Sequence, residues 1–249
     1  MPGPDCLQGI VTAVTEDPTH PPEQRPMARV VSFRSRRDAL TPARQRAWDY
    51  WWPSLGADAG TEPLDTHAWF GRQAPLVVEI GSGTGTATAA MAAAEPERDL
   101  LAIEVYRPGL AQLLQHCATA GVDNVRALHG DAVQVLTHQI RPASLAGVRV
   151  FFPDPWPKHK HHKRRLLQRP VVELIASRLL PGGVLHVATD HLPYAEHVAE
   201  VGDAEPMLRR IGFDSPSTML LERPVTKFEG RAERAGSAIT ELLWCRITA

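Results

Sequence analysis

The chain has 249 residues, with 27 Lys and Arg against 28 Asp and Glu and a formal net charge of −1. That length buries a full core without disulfides or metals, and the absence of an apolar run near the roughly 18 residues of a spanning helix excludes a membrane partner. Three cysteines, Cys6, Cys117 and Cys245, lack disulfide or zinc spacing and read as free thiols, and without a targeting segment the expected location is the cytoplasm.

Residues 1–28 hold six prolines and little apolar periodicity, which predicts a mostly disordered tail. Residues 25–46 carry seven arginines and one acid, Asp38, and residues 29–70 read as a basic extension. Thr41-Pro42 marks a helix start, with Thr as N-cap and Pro in the first turn. That helix runs past Trp48, Trp51 and Trp52 to a stop near Pro53. Their i, i+3, i+4 spacing favours core contacts over a base-stacking surface.

From residue 71 to the end, strands and helices alternate. Strands are expected at 76–80, 99–104, 125–129, 148–152 and 184–189. Helices are expected at 86–94, 108–120, 132–139 and 165–179, with one or two more in 191–211. A turn is expected at Pro181-Gly182-Gly183, and terminal strands at 218–221 and 238–247. The alternation predicts an α/β fold of Rossmann-like type, a mostly parallel sheet with helices on both faces.

The sharpest local signal is Val77-Val78-Glu79-Ile80-Gly81-Ser82-Gly83-Thr84-Gly85. A strand enters a glycine turn and a helix follows. The glycines permit positive φ and close ligand approach. A dinucleotide fingerprint needs GxGxxG, whereas Gly81, Gly83 and Gly85 give GxGxG. Glu79 precedes them, and a carboxylate there opposes a pyrophosphate but pairs with an amino group. This favours S-adenosylmethionine over NAD, with a plain strand-turn-helix bend as the bland alternative. Glu104 ends the second strand, roughly 20 residues on, where a carboxylate takes both ribose hydroxyls. Asp131 follows the third strand. It accepts from an adenine amino group, caps the next helix, or does both.

The fourth strand leads into Phe152-Pro153-Asp154-Pro155-Trp156-Pro157-Lys158-His159-Lys160-His161-His162-Lys163-Arg164-Arg165. This run resembles that of the bacterial tRNA (guanine-N7-)-methyltransferases of the TrmB type, marked by F-P-D-P-W-x-K-x-x-x-x-K-R-R after strand four. The likeness continues at Ala188-Thr189-Asp190 and Thr226-Lys227-Phe228-Glu229 and covers about residues 30–249. The chain departs from the family at Asp38-Ala39, where Gly-Arg is usual, and at Ser237, where His is common.

The resemblance implies a class I S-adenosylmethionine-dependent methyltransferase with a seven-stranded sheet, over residues 71–249. It implies methyl transfer to N7 of a guanine in the tRNA variable loop, position 46, giving 7-methylguanosine. At the matching positions it implies Glu79, Gly81, Gly83, Gly85, Glu104, Asp131 and Asp154 around the cofactor, with Asp154 also catalytic. Substrate would meet Lys158, Asp190, Thr226, Lys227, Phe228 and Glu229. RNA would meet Lys160, His161, His162, Lys163, Arg164 and Arg165.

The residues make independent sense of that reaction. Guanine N7 has an in-plane lone pair and no proton, so no base is needed and alignment with the sulfonium methyl is the main requirement. Methylation leaves the purine cationic, and the Asp154 carboxylate can accept from N1–H and the exocyclic amine as that charge grows. The prolines at 153, 155 and 157 stiffen the loop. Trp156 either stacks on a base or packs the loop. The histidines at 159, 161 and 162 lack an acidic or thiol partner, so no metal is expected.

Two other readings keep parts of this pattern: a methyltransferase for a small acceptor, and an RNA-binding module with a vestigial pocket. The basic loop argues against the first, and the intact acids against the second. Monomer and homodimer are not distinguished. Residues 25–46 and 158–169 together hold thirteen Lys or Arg and one acid, so a near-neutral total conceals two cationic blocks compatible with tRNA.

Overall fold

The computed structural model describes residues 39–224 and 238–248, all within the compact unit Ser32–Ala249. The predicted tail at 1–28 and Asp38, Thr226, Lys227, Phe228, Glu229 and Ser237 lie outside the described residues.

Eight strands form one sheet. They are β1 (Gly56–Asp58), β2 (Leu76–Ile80), β3 (Asp99–Glu104), β4 (Val125–His129), β5 (Leu145–Phe151), β6 (Leu179–Thr189), β7 (Leu208–Arg210) and β8 (Thr240–Arg246). Their spatial order is β1-β4-β3-β2-β5-β6-β8-β7. The first six pair in parallel, and β8 runs antiparallel to both β6 and β7. Six of the seven expected strands form, and two unexpected ones, β1 and β7, join them, β1 pairing with β4 through Gly56↔Ala127. Chain order reverses between β2 and β5, the place where open α/β sheets leave a crevice for ligands.

Helices cover both faces, as the apolar runs of the central strands require, and a short α2 (Thr66–Phe70) lies between β1 and β2 in the chain. On one face lie α5 (Ala132–Gln134, continued by a π turn at Val135–Gln139), α6 (Arg169–Arg178) and α7 (Leu192–Asp203). Val135, Leu136, Val172, Ile175, Tyr194 and Val198 pack there on Val78, Ile103, Val148 and Val187. On the other face lie α1 (Pro42–Leu55), α3 (Thr86–Ala94) and α4 (Arg107–Ala120), where Met91, Ala92, Leu110 and Leu113 meet Leu100, Ala102 and Phe151. Trp48 is buried in this layer and stacks on Trp52 at 3.8 Å, as the spacing predicts. The helix runs two residues beyond Pro53, closing on the Gly56 N–H to Trp52 carbonyl bond.

Several local expectations change. Residues 218–221 form no strand, because their polar backbone groups are taken by distant side chains. Arg98 Nε donates to the Thr218 carbonyl at 2.8 Å, and the Leu220 N–H donates to Glu95 Oε1 at 2.6 Å. The strand instead is β7, inside the stretch read as helical. The turn expected at 181–183 is a bulge within β6, between the pairs Leu145↔Leu179 and Gly147↔Val184. The helix expected from Arg165 begins only at Arg169, after a separate 3-10 turn at His159–Arg164.

Candidate active site

The predicted acids meet at one edge of the sheet because neighbouring parallel strands end together. Register pairs Ile80 with Ile103 and Val150, Glu104 with His129, and Phe151 with Ala188. The ends of β4, β3, β2, β5 and β6, or the segments just after them, therefore carry Asp131, Glu104, the glycine turn, Asp154 and Asp190 in that spatial order along the edge.

The glycine turn needs its glycines. Gly81, Gly83 and Gly85 have φ of 78°, 57° and 72°, the left-handed region that side chains resist. At Gly81 and Gly83 a Cβ would point into open space, whereas at Gly85 it would strike Leu113. The first two line room that a ligand can fill. Gly109 of α4 packs against this turn, where a Cβ would stand 2.2 Å from the Gly83 carbonyl oxygen.

Glu104 organises the same turn. Its Oε2 accepts from the Gly83 N–H at 2.8 Å, and its Oε1 accepts from the Val105 and Tyr106 N–H groups at 2.7 and 2.9 Å. One carboxylate thus joins the glycine turn to the start of α4. Three of the carboxylate's roughly four acceptor sites are thus taken, which leaves capacity on Oε2 for a ribose hydroxyl.

Glu79 is buried, and its Oε2 has no hydrogen-bond partner among the described residues. Burial pushes its carboxyl above the ordinary value, against the opposing pull of Thr88 and the Arg149 charge. A buried unpartnered carboxylate oxygen beside a glycine cradle suits the ammonium group of an amino-acid moiety. With Glu104 on the diol side, the residues fit S-adenosylmethionine.

Glu79 belongs to a buried polar row that sequence reading missed. Register places Glu79 of β2 beside Arg149 of β5, and Arg149 beside His186 of β6. Arg149 is fully buried; its Nη2 donates to Glu95 Oε2 at 2.5 Å and to the Leu220 carbonyl at 3.0 Å. His186 is also fully buried and bonds Glu241 through Nε2 at 2.7 Å. Burial holds the imidazole below its ordinary pKa despite Glu241, so it donates as a neutral ring. The signal was a charge inside the apolar run Val148-Arg149-Val150-Phe151.

Asp154 sits in a strained loop. The residues flanking Pro153-Asp154-Pro155 both have positive φ, 50° at Phe152 and 43° at Trp156. The Phe152 N–H donates to the Ala188 carbonyl at 2.8 Å, tying the loop to the end of β6. Asp154 itself is exposed, and its charge reaches Tyr194 on α7, whose hydroxyl burial pushes up to about 12.

Trp156 packs within the loop. His161 meets its ring edge-on at 5.7 Å, and the Arg164 guanidinium lies 4.9 Å from its centre. Lys158, Lys160 and Lys163 are exposed around it. Desolvation and the Arg164, Lys160 and Lys158 charges hold His161 below its ordinary pKa. Among the described residues no three His, Cys, Asp or Glu side chains gather as a metal site.

Arg165 does not behave as its place in the basic run predicts. It is 4% exposed, its Nε donates to the Pro155 carbonyl at 2.9 Å, and its guanidinium lies over the Tyr194 ring at 4.9 Å. A group so enclosed offers no surface to a phosphate. Leu167, two residues on, is also buried.

Asp131 and Asp190 lie at the same edge of the sheet. Asp131 Oδ1 accepts from Val133 N–H at 2.9 Å and Gln134 N–H at 3.3 Å, so it does cap α5. Asp190 is exposed at the end of β6. Among the described residues no helix is long and apolar enough to cross a membrane.

A family model described as a putative methyltransferase matches residues 73–242. A Nocardia farcinica protein named tRNA (guanine-N(7)-)-methyltransferase is 64% identical over 236 residues, covering 91% of this chain and 88% of its own length. A Rhodococcus jostii protein of the same name is 64% identical over 219 residues, covering 88% and 84%. Among solved structures, an rRNA methylase from Streptococcus thermophilus is 17% identical, with a TM-score of 0.48 over 70% of this chain and 88% of that one.

Proposed function

The chain belongs to the tRNA (guanine-N7-)-methyltransferase family, and on that premise we propose that it moves a methyl group from S-adenosylmethionine to N7 of a guanine in tRNA, at position 46 in the variable loop. The observation that carries the reading is the shared sheet edge. Glu79 and Glu104 lie at the ends of β2 and β3, and Asp154 follows β5, directly beside β2. When bound, S-adenosylmethionine supplies a methyl group made electrophilic by its sulfonium.

The chain's own residues do the rest by positioning. Glu79 pairs with the amino-acid ammonium, Glu104 takes the ribose hydroxyls, and Asp131 receives the adenine amino group with the acceptor capacity left from its cap. The positive-φ turn at Gly81 and Gly83 lets the backbone approach the cofactor closely. Asp154 accepts from guanine N1–H and the exocyclic amine, which orients N7 and favours the cationic product ring. No residue needs to remove a proton to create the nucleophile. Lys160, His161, His162, Lys163 and Arg164 contact the tRNA, and Lys158 and Asp190 bind the substrate.

The test is methylation of unmodified tRNA with methyl-labelled cofactor, followed by nucleoside analysis and mapping. Label in 7-methylguanosine at position 46 is the expected result. Label in another nucleoside overturns the reaction assignment, and 7-methylguanosine elsewhere overturns the position.

A further inference from the structure

The loop that carries Asp154 is poor in the groups that hold loops in place. Pro153, Pro155 and Pro157 have no N–H, so between Phe152 and Lys158 only Asp154 and Trp156 can donate from the backbone. With positive φ at both Phe152 and Trp156, the conformation persists only if its surroundings impose it. The front of the loop is held by the Phe152 N–H on the Ala188 carbonyl. Its back is held by Arg165.

Arg165 turns its guanidinium inward. Nε donates to the Pro155 carbonyl at 2.9 Å, Nη2 lies 3.1 Å from His162 Nε2, and the plane covers the Tyr194 ring at 4.9 Å. Desolvation and the Arg165 charge hold His162 below its ordinary pKa, which leaves Nε2 able to accept. Tyr194 is fully buried, and its hydroxyl accepts from the Leu167 N–H at 3.1 Å. One side chain therefore joins three elements: the Asp154 loop, the 3-10 turn of the basic strip, and the start of α7. Lys158, Lys160 and Lys163 stay exposed and Arg164 half-exposed, whereas Arg165 is enclosed.

We propose that Arg165 is a positioning residue that holds the Pro155 carbonyl, and through it Asp154, in the orientation methyl transfer requires, and that it links seating of tRNA on the neighbouring strip to that alignment. The proposal rests on the reading of Asp154 as the guanine-facing carboxylate. A planar fork that donates and stacks at once is a task Lys cannot take over.

The test measures kcat, tRNA Kd, its salt dependence and S-adenosylmethionine Kd for full-length Arg165→Met, Arg165→Lys and Arg165→Gln. Misplacing a reacting group by about 1 Å costs on the order of a hundredfold. Arg165→Met should therefore lose about tenfold to a hundredfold in kcat, with cofactor Kd within about twofold and an unchanged salt slope. Lys should not rescue it. Gln, neutral but able to donate to Pro155, should recover part of the rate. An unaltered kcat overturns the proposal. So does a loss confined to tRNA Kd with the salt slope reduced by about one, the signature of a phosphate contact. If Arg165→Met fails to fold, Gln and Lys decide by the same readouts: a Gln variant no better than Lys in kcat overturns the proposal. Asp154→Ala separates the two ideas. Full activity there removes the underlying reading, whereas an inactive Asp154→Ala beside a fully active Arg165→Met removes only this inference.

Discussion

Glu104→Gln keeps the side chain's shape and replaces one carboxylate oxygen with an NH2 group. Three backbone donors converge on that carboxylate, Gly83 on one oxygen and Val105 with Tyr106 on the other. Whichever way the amide turns, at least one N–H must face an NH2. The least costly orientation keeps the two-donor side and sets the amide nitrogen against Gly83. That forfeits one charge-assisted hydrogen bond, worth roughly 1.5–3 kcal/mol, and weakens two others. Partial exposure lets water recover some of the loss, so the net cost is about 2 kcal/mol. For a domain of this size that lowers Tm by about 4–8 °C. The same donors shape the glycine turn, and loss of the ribose acceptor proposed for Glu104 adds to the effect, so S-adenosylmethionine Kd should rise about thirtyfold or more. Thermal unfolding and titration calorimetry on one preparation give both values. An unchanged Tm together with a Kd within about threefold of the parent would refute the reasoning.

Arg149→Met should cost about 3 kcal/mol in urea unfolding, because it strips the buried Glu95 Oε2 of its guanidinium and leaves the carboxylate with Arg98 at 3.6 Å and the Leu220 N–H, both on Oε1. Replacing both residues with apolar ones should recover most of that loss, and a single substitution costing under about 1 kcal/mol would remove the pair from the account. His186 gives a pH dependence. Its folded pKa lies below the ordinary value because of burial, so below about pH 6.5 the unfolded chain binds a proton that the native chain refuses. Stability should fall as pH drops through that window. His186→Gln, which still donates to Glu241, should flatten the decline, and an identical slope in the variant would contradict the assignment.

The parts legible in the sequence were those where chemistry demands a residue type at a fixed spacing. The positive φ at Gly81, Gly83 and Gly85 needs glycine, so GxGxG was readable. Glu104 and Asp154 had to follow particular strands. Apolar runs located β2 to β6, because strands buried on both faces have no polar alternation to blur them. What escaped was decided by partners far along the chain. Residues 218–221 look like a strand by composition, yet their carbonyl and N–H groups are taken by Arg98, Arg149 and Glu95. The strand β7 is three residues with two exposed arginines, and no apolar pattern marks it. A run of cations predicts a solvated surface, and nothing local says which member turns inward. Arg165 does so because the Pro155 carbonyl and the Tyr194 ring wait for it. The Glu79–Arg149–His186 row depended on register across three strands, which a single sequence does not display.

The central claim is that methyl transfer depends on alignment and charge at Asp154, with no proton-removing base. Asp154→Asn keeps the loop and removes the charge and one acceptor. Single-turnover methylation of unmodified tRNA, with cofactor affinity measured alongside, tests the claim directly. The rate should fall on the order of a hundredfold or more with S-adenosylmethionine Kd within about twofold. A near-parental single-turnover rate in Asp154→Asn would contradict it.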